Sequence, residues 1–208
     1  MKNLIILQHP LVQRDVTLLR DKRTPSNQFR AILRRVSTLM AIEVTKNLPL
    51  RTVSVKTPLA TAKGSVLARP VVLVPILRAG LGLVGGFVEV LPDSRVGHIG
   101  LYRDEQSLKP VDYYFKVPRN INEAMVFLLD PMLATGGSTT AALTYLKKRG
   151  AKTLVCVTLV AAPEGVRRVH KAHPEVKIYT CALDIKLNGR GYILPGLGDA
   201  GDRIFGTE

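Results

Sequence analysis

The sequence predicts a single α/β domain, residues 1–208, built on a mainly parallel sheet, and three stretches carry that prediction. Val71 to Leu77, VVLVPIL, is a near-continuous apolar run of the kind a strand buried on both faces requires. Val126 to Gly150 reads as strand, loop and helix. After Gly150 the alternation continues with a strand at Thr153 to Ala161, a helix at Pro163 to Ala172 and a strand at Val176 to Leu183. A chain of 208 residues with 46% hydrophobic composition suffices for one sizeable core. It carries no internal repeat, low-complexity tract or long Ser/Gly linker to divide it.

Taken in order, the chain opens with Leu4 to Leu7, too short for a signal-peptide core and followed at once by Gln8 and His9, so a cytoplasmic location is expected. The longest apolar stretch, Leu154 to Ala162, falls far below the roughly 20 residues that span a bilayer. Thr24-Pro25 opens the longest helical pattern, with Phe29, Ile32, Leu33, Val36, Leu39, Met40 and Val44 at three- and four-residue spacing. Arg30, Arg34 and Arg35 flank that stripe and read as a solvated basic face. The run from Val71 ends at Arg78, and AGLGLVGGFVEVL, Gly-rich and then helical in spacing, follows. Arg78 therefore stands at a strand-to-helix junction beside backbone that can approach a ligand closely, although such an arginine serves equally well in a surface ion pair.

VGHIGLYRDEQSLKPVDYYFKVP reads as two β-like runs joined by a polar linker, a hairpin or arm. Arg103 leaves the first run beside Asp104 and Glu105, where a local ion pair is the plain reading. Tyr113, Tyr114 and Phe115 could stack on a base, but in an alternating strand they fit core or subunit packing better. Cys156 and Cys181 sit in apolar runs and read as buried free thiols. His170 and His173, without a Cys or acid motif to complete a metal site, read as last-turn helix residues, and His9 and His98 carry no motif.

Thirty Lys and Arg against 16 Asp and Glu leave a formal charge of +14, which implies an anionic partner. Nucleic acid and a phosphorylated metabolite both qualify. The basic residues are scattered rather than gathered in a tail, which favours a folded domain with a small anionic ligand.

The stretch VFLLDPMLATGGSTTAALTYLKKRG supplies a place for that ligand. Its strand ends in Asp130, and the loop passes Ala134, Thr135, Gly136 and Gly137 into a helix with Ser138 as expected N-cap, Leu143 and Leu146 on one face with Ala142, and Gly150 as the stop. A helix N-terminus offers unpaired N–H groups and partial positive charge, and two glycines let the backbone close around a phosphate. Asp130, an acceptor only, suits ligand hydroxyls or a metal, so the pair suggests a sugar phosphate. The spacing is neither a Walker loop nor a dinucleotide fingerprint, and an ordinary strand-to-helix turn would use the same residues. The other informative stretch, LNGRGYILPGLGDAGDRIFG, is a long irregular segment; it is either a terminal loop or a functional one.

LLDPMLATGGS resembles the phosphoribosyl diphosphate (PRPP) loop of the type I phosphoribosyltransferases, in the form of the uracil phosphoribosyltransferase family, where Pro131 follows a single acid. PILRAGLG is similar to that family's pyrophosphate loop, and YILPGLGDAGDR to its uracil-binding loop, all in family order. The resemblance implies a type I phosphoribosyltransferase fold: a mainly parallel twisted sheet flanked by helices, a β-hairpin arm and a C-terminal base-binding loop region. It implies conversion of uracil and PRPP to UMP and diphosphate in pyrimidine salvage. By resemblance PRPP is held by Arg78, Arg103, Asp130, Pro131, Met132, Leu133, Ala134, Thr135, Gly136, Gly137, Ser138 and Asp199, with Asp130 on the ribose hydroxyls and Ala134 to Ser138 on the 5′-phosphate. Uracil is held through backbone groups at Ile193, Gly198 and Ala200, with Asp199 turned toward PRPP or its metal and Tyr192 packed against the ligand. In-plane backbone pairing suits a pyrimidinedione, because any other base leaves a buried partner unmet.

The same resemblance implies catalytic roles for Arg103, Asp130 and Asp199, and Mg2+ held mainly through PRPP and water rather than by a protein metal site. A homo-oligomer, dimer or tetramer, and GTP as an activator are further implications. A strained non-proline peptide at Arg78–Ala79 is another. Two alternatives stay open: an RNA-binding pyrimidine regulator on the same fold, using the +14 charge, and another base specificity.

Overall fold

The apolar runs fold where their periodicity places them. A computed structural model describes residues 2–103 and 110–207, with side chains outside 102–112. The first elements are β1 (Leu4–Ile6), α1 (Pro10–Arg20), α2 (Ser26–Thr45), β2 (Leu50–Lys56), β3 (Thr61–Leu67), β4 (Val71–Leu77) and α3 (Leu81–Val90). There follow β5 (Arg95–Val96), β6 (His98–Arg103), β7 (Pro110–Lys116), a 3-10 turn (Ile121–Glu123), β8 (Met125–Leu129), β9 (Met132–Leu133) and α4 (Gly137–Lys148). The chain continues through β10 (Thr153–Ala161), α5 (Pro163–Ala172), β11 (Lys177–Leu183), β12 (Lys186–Leu187), β13 (Ile193–Leu194) and α6 (Ala200–Phe205).

The central sheet runs β1-β11-β10-β8-β4-β6-β7, parallel throughout except for the antiparallel β6–β7 arm. Side chains of a strand alternate between faces, and the buried strands use both. Leu73, Phe127, Leu129 and Val157 face a layer formed with Phe29, Leu33 and Met40 of α2 and Phe87 of α3. Val72, Val74, Val126, Leu128 and Cys156 face the layer of Leu143 and Leu146 from α4 and Val166 and Val169 from α5. Cys156 and Cys181 thus lie on opposite faces of the sheet, both free and buried. Burial raises both thiols, Cys181 to about 12, so neither is poised as a nucleophile. Among the described residues no helix is long and apolar enough to cross a membrane.

The helix opened by Thr24-Pro25 starts at Ser26 with Pro25 in the cap position. Its arginines are not simply a solvated face. Asp15 of α1 is fully buried, and a buried carboxylate needs a cation. Arg35 supplies one, with Nε 2.6 Å from Oδ2 and Nη2 2.9 Å from Oδ1, and Arg14 a second. Burial pushes the Asp15 carboxyl up, but these guanidinium groups outweigh it and hold it below the usual range. Arg30 donates to the Ile204 carbonyl of α6 at 2.9 Å, and Arg34 reaches Glu89 of α3 at 3.5 Å. The stripe therefore ties α2 to three other helices. One element has no counterpart in the sequence reading: β2 and β3 form an antiparallel ribbon, Leu50↔Leu67 to Lys56↔Thr61, outside the central sheet.

α3 packs on α2 at glycine distance. A Cβ at Gly86 would lie 2.4 Å from the Thr38 nitrogen and 2.7 Å from the Arg34 carbonyl oxygen, both backbone, whereas a Cβ at exposed Gly85 meets nothing within 4 Å. Gly86→Ala is therefore expected to destabilise the fold by about 1–3 kcal/mol through overpacking. Gly85→Ala, one residue away, is expected to stabilise by up to about 1 kcal/mol through helix propensity. Urea denaturation of the two variants checks the opposite signs.

Candidate active site

The register of the parallel pair β4–β8, Val71↔Met125 to Pro75↔Leu129, brings the two strands to the same edge of the sheet. Arg78 leaves one strand and Asp130 the other. The chain must turn sharply after β4, because Gly80 donates to the Ile76 carbonyl at 2.9 Å and a Cβ there would lie 2.5 Å from the Leu129 carbonyl oxygen. The turn begins at the last strand residue, and the cis non-proline peptide is Leu77–Arg78. This corrects the expectation of Arg78–Ala79 by one bond. Arg78 Nη2 lies 3.1 Å from Asp202 Oδ1, and its guanidinium stands 5.9 Å from the Phe205 ring.

After β8, the loop from Asp130 to Thr135 is interrupted only by β9 and ends in Gly136, in the left-handed region at φ 74°. That conformation is open to glycine, and it lets α4 begin at Gly137. The N-cap is therefore Gly136, not Ser138, which sits exposed in the first turn. Gly136 has no side chain to cap with, so among the described residues the first amides of α4 lack a side-chain cap, apart from a long 3.5 Å approach of Gly137 N–H to Thr135 Oγ1. Asp130 is held at both oxygens: Oδ1 accepts from Met132 N–H and Oδ2 from the Thr139 hydroxyl, each at 3.3 Å. Burial nevertheless dominates and pushes its carboxyl up to about 6.

Arg78, Asp130, Ser138, Asp199 and Gly201, with Leu101 of β6, line a cavity of about 300 Å3. A second, of about 320 Å3, is lined by Arg190, Tyr192, Ile193, Gly198, Asp199 and Ala200, with Met132 of β9 and Ala134 from the loop before α4. The two share Ala79, Met132, Asp199 and Gly201 as a common wall. Of the sequence-predicted residues, Arg78, Asp130, Met132, Ala134, Ser138, Ile193, Gly198, Asp199 and Ala200 line these two cavities. Thr135, Gly136 and Gly137 line neither and form the turn beside them, and Pro131 and Leu133 are buried beneath it. Arg103 closes β6 beside β4, with Pro110 as its strand partner. The Arg103 side chain lies outside the described residues, as do Asp104 and Glu105.

The C-terminal loop is ordered by two arginines, Arg20 from α1 and Arg203 from α6 within the segment itself. Arg20 grips Asp184 at 2.5 and 2.8 Å and also donates to the Gly196 carbonyl, while Asp184 accepts from Gly196 N–H at 2.8 Å. Arg203 donates to the carbonyls of Leu19, Leu197 and Asp21 and stacks 4.5 Å over Phe29. The segment expected to be irregular contains a short β12–β13 pairing and α6, and Asp199 caps that helix through Asp202 N–H at 3.0 Å. Asp202, Arg190 and the capping role of Asp199 had no signal in the sequence beyond their place in an acid- and glycine-rich stretch.

The remaining candidates are structural. Phe115 packs edge-on against Tyr145 and under Arg149, while Tyr113 covers Gly100. His170 lies in the last turn of α5, and His173, its C-cap, is buried and bonded to Thr144, Lys147 and the Thr140 carbonyl.

This mainly parallel sheet flanked by helices has the fold of the type I phosphoribosyltransferases, as solved structures show. The fold matches a hypoxanthine phosphoribosyltransferase from Trypanosoma cruzi with a TM-score of 0.51 at 17% identity, covering 76% of this chain and 74% of that one. Nearer still is the AQ2163 protein from Aquifex aeolicus, with a TM-score of 0.91 at 36% identity over 97% of both chains. The family model for uracil phosphoribosyltransferase matches residues 6–207. Proteins of that name are 52% identical in Thermoanaerobacter sp. (strain X514), over 100% of this chain and 99% of the relative, and 54% identical in Pediococcus pentosaceus, over 98% of each. The chain belongs to the uracil phosphoribosyltransferase family. None of these relatives supports the RNA-binding alternative.

Asp130 carries a testable cost. Its folded-state carboxyl titrates at about 6 against 3.8 unfolded, so the folded state binds the proton more tightly. The stability this lends is full below 3.8 and is lost as pH rises through 6. Asp130→Asn, neutral at every pH, is therefore expected to raise Tm above that of the parent at pH 8, with the gap closing toward pH 4.

Proposed function

We propose that the protein transfers the phosphoribosyl group of PRPP to N1 of uracil, forming UMP and diphosphate, in cytoplasmic pyrimidine salvage. The observation that carries this reading is the shared wall of the two cavities: a phosphate turn and an acid on one side, a glycine-rich base loop on the other, with Asp199 lining both.

The residues divide the work by chemistry. The first amides of α4 and the hydroxyls of Thr135 and Ser138 receive the 5′-phosphate, and Asp130 accepts hydrogen bonds from the ribose hydroxyls. Arg78, with Arg103 from the neighbouring strand end, takes up charge on the departing diphosphate as the C1′–oxygen bond loosens. Backbone groups at Ile193, Gly198 and Ala200 pair the uracil edge and hold N1 toward C1′, so that positioning supplies much of the rate. Asp199 or the leaving diphosphate accepts the N1 proton.

Mg2+ is the cofactor we assign. Asp130 and Asp199 line one cavity, and no group of three His, Cys, Asp or Glu that could hold a metal occurs among the described residues. That donor set suits an ion that keeps water and takes its other ligands from a substrate phosphate. When bound, it would neutralise charge on the diphosphate. We also assign a homo-oligomer: the β2–β3 ribbon exposes Leu50, Val55 and Leu59, and a two-stranded ribbon is marginal without cover. Light scattering tests the assembly, and GTP added to the assay tests activation.

The deciding assay follows UMP formation with Mg2+ from PRPP and uracil, beside cytosine, hypoxanthine and adenine. Turnover of uracil alone is expected. Asp130→Ala should abolish it, and Arg103→Ala should lower kcat/KM by roughly a hundredfold or more with the fold intact. Conversion of a purine in place of uracil would overturn the base assignment.

A further inference from the structure

The phosphate turn has no cation of its own. Ala134, Thr135, Gly136, Gly137 and Ser138 are all neutral, while a phosphate monoester carries about −1.5 to −2 charge at neutral pH. Backbone amides and hydroxyls alone would have to balance it. α5, which packs against this turn, supplies a guanidinium.

The packing is set by two glycines. A Cβ at Gly136 would lie 2.7 Å from the Gly165 carbonyl oxygen, and a Cβ at Gly165 would lie 2.4 Å from the Ala134 carbonyl oxygen. The two backbones therefore touch, and α5 has one position on the turn. Arg168 follows Gly165 by three residues, so it shares the helix face that meets the turn. A Cβ built on Gly136 would lie 3.3 Å from Arg168 Cβ, and one built on Gly137 would lie 3.5 Å from Arg168 Nη1 and 3.7 Å from Thr135 Oγ1. The guanidinium thus stands over the first helical residue of α4, beside the hydroxyl that the turn presents. It is not engaged elsewhere: Arg168 is exposed and has no hydrogen bond or ion pair among the described residues. Glu164, one turn earlier on α5, accepts instead from Leu187 N–H at 3.4 Å.

We propose that Arg168 is a ligand of the substrate 5′-phosphate, supplying from α5 the positive charge that the turn lacks. The inference rests on the phosphoribosyl reading of this site. A planar guanidinium fits phosphate oxygens in a two-point contact, and a charge-assisted contact of this kind weakens binding about ten- to a hundredfold when removed. The contact concerns only the phosphate end of the ligand, which gives it a distinguishing signature.

Titration calorimetry with UMP, ribose 5-phosphate and uridine tests the assignment on the full chain and on Arg168→Gln and Arg168→Lys. Arg168→Gln is expected to weaken UMP and ribose 5-phosphate about ten- to a hundredfold, to leave uridine and Tm unchanged, and to raise KM for PRPP with little change in kcat. Arg168→Lys should recover part of the loss. Unchanged UMP binding by Arg168→Gln would overturn the proposal, and so would equal losses for UMP and uridine, which mark a general disturbance of the pocket. Failure of the unsubstituted protein to bind UMP or ribose 5-phosphate would instead overturn the phosphoribosyl reading on which the proposal stands.

Discussion

The parallel register of β4 with β8 is the constraint on which the site depends. Both strands are apolar on both faces, so they are held at the centre of the sheet by two helical layers at once, and a slip would draw Arg78 or Asp130 into the core. Because Pro75 stands opposite Leu129, the polar groups that follow each strand emerge together. The same burial that fixes the register acts on the chemistry. Asp130 comes directly off a fully buried strand, and its carboxyl is pushed up by desolvation despite two hydrogen bonds. An acceptor that is costly to ionise unliganded is one that a pair of ribose hydroxyls or a cation would favour when bound.

Close backbone contact is the second means of construction. At Gly80, Gly136 and Gly165 a single methyl group would strike a carbonyl oxygen at 2.4 to 2.7 Å. These glycines let loop meet strand and helix meet loop with no side chain between, so the position of the Ala134–Gly137 turn is set by main-chain contact. Shape of this kind is insensitive to side-chain rotamers, which suits a site that must place a reacting carbon between two ligands.

Much of this was legible in the sequence, for a physical reason. Buried parallel strands and the helices between them must carry apolar residues at fixed intervals, and β10 and α5 fall at the expected boundaries, Thr153–Ala161 and Pro163–Ala172. Features set by a single dihedral or by distant contacts were not legible. The start of α4 depends on the left-handed Gly136, which periodicity cannot report, and so Ser138 was a plausible but incorrect cap. The β2–β3 ribbon alternates in Thr52, Val53, Ser54 and Val55, but its faces are mostly exposed, so it lacks the apolar contrast that marks a strand. Arg35 reads as solvated until Asp15 is seen buried on another helix. The Arg78–Asp202 pair spans 124 positions and leaves no local trace.

The guanidinium of Arg203 has a consequence for how the molecule is assembled. It closes the base-side loop onto the Leu19 carbonyl across 184 positions of chain, and Arg20 reaches Gly196 across 176. Contacts of such separation are slow to form, because a long loop must be ordered before they repay it. On a ribosome the strands and the phosphate turn emerge well before residue 203, and domains begin to organise as they appear. The side of the pocket lined by Arg78, Asp130 and Ser138 can therefore take shape first. The other side, lined by Ile193, Gly198 and Ala200, waits for α6 to return to α1, so the two cavities are completed at different stages of synthesis.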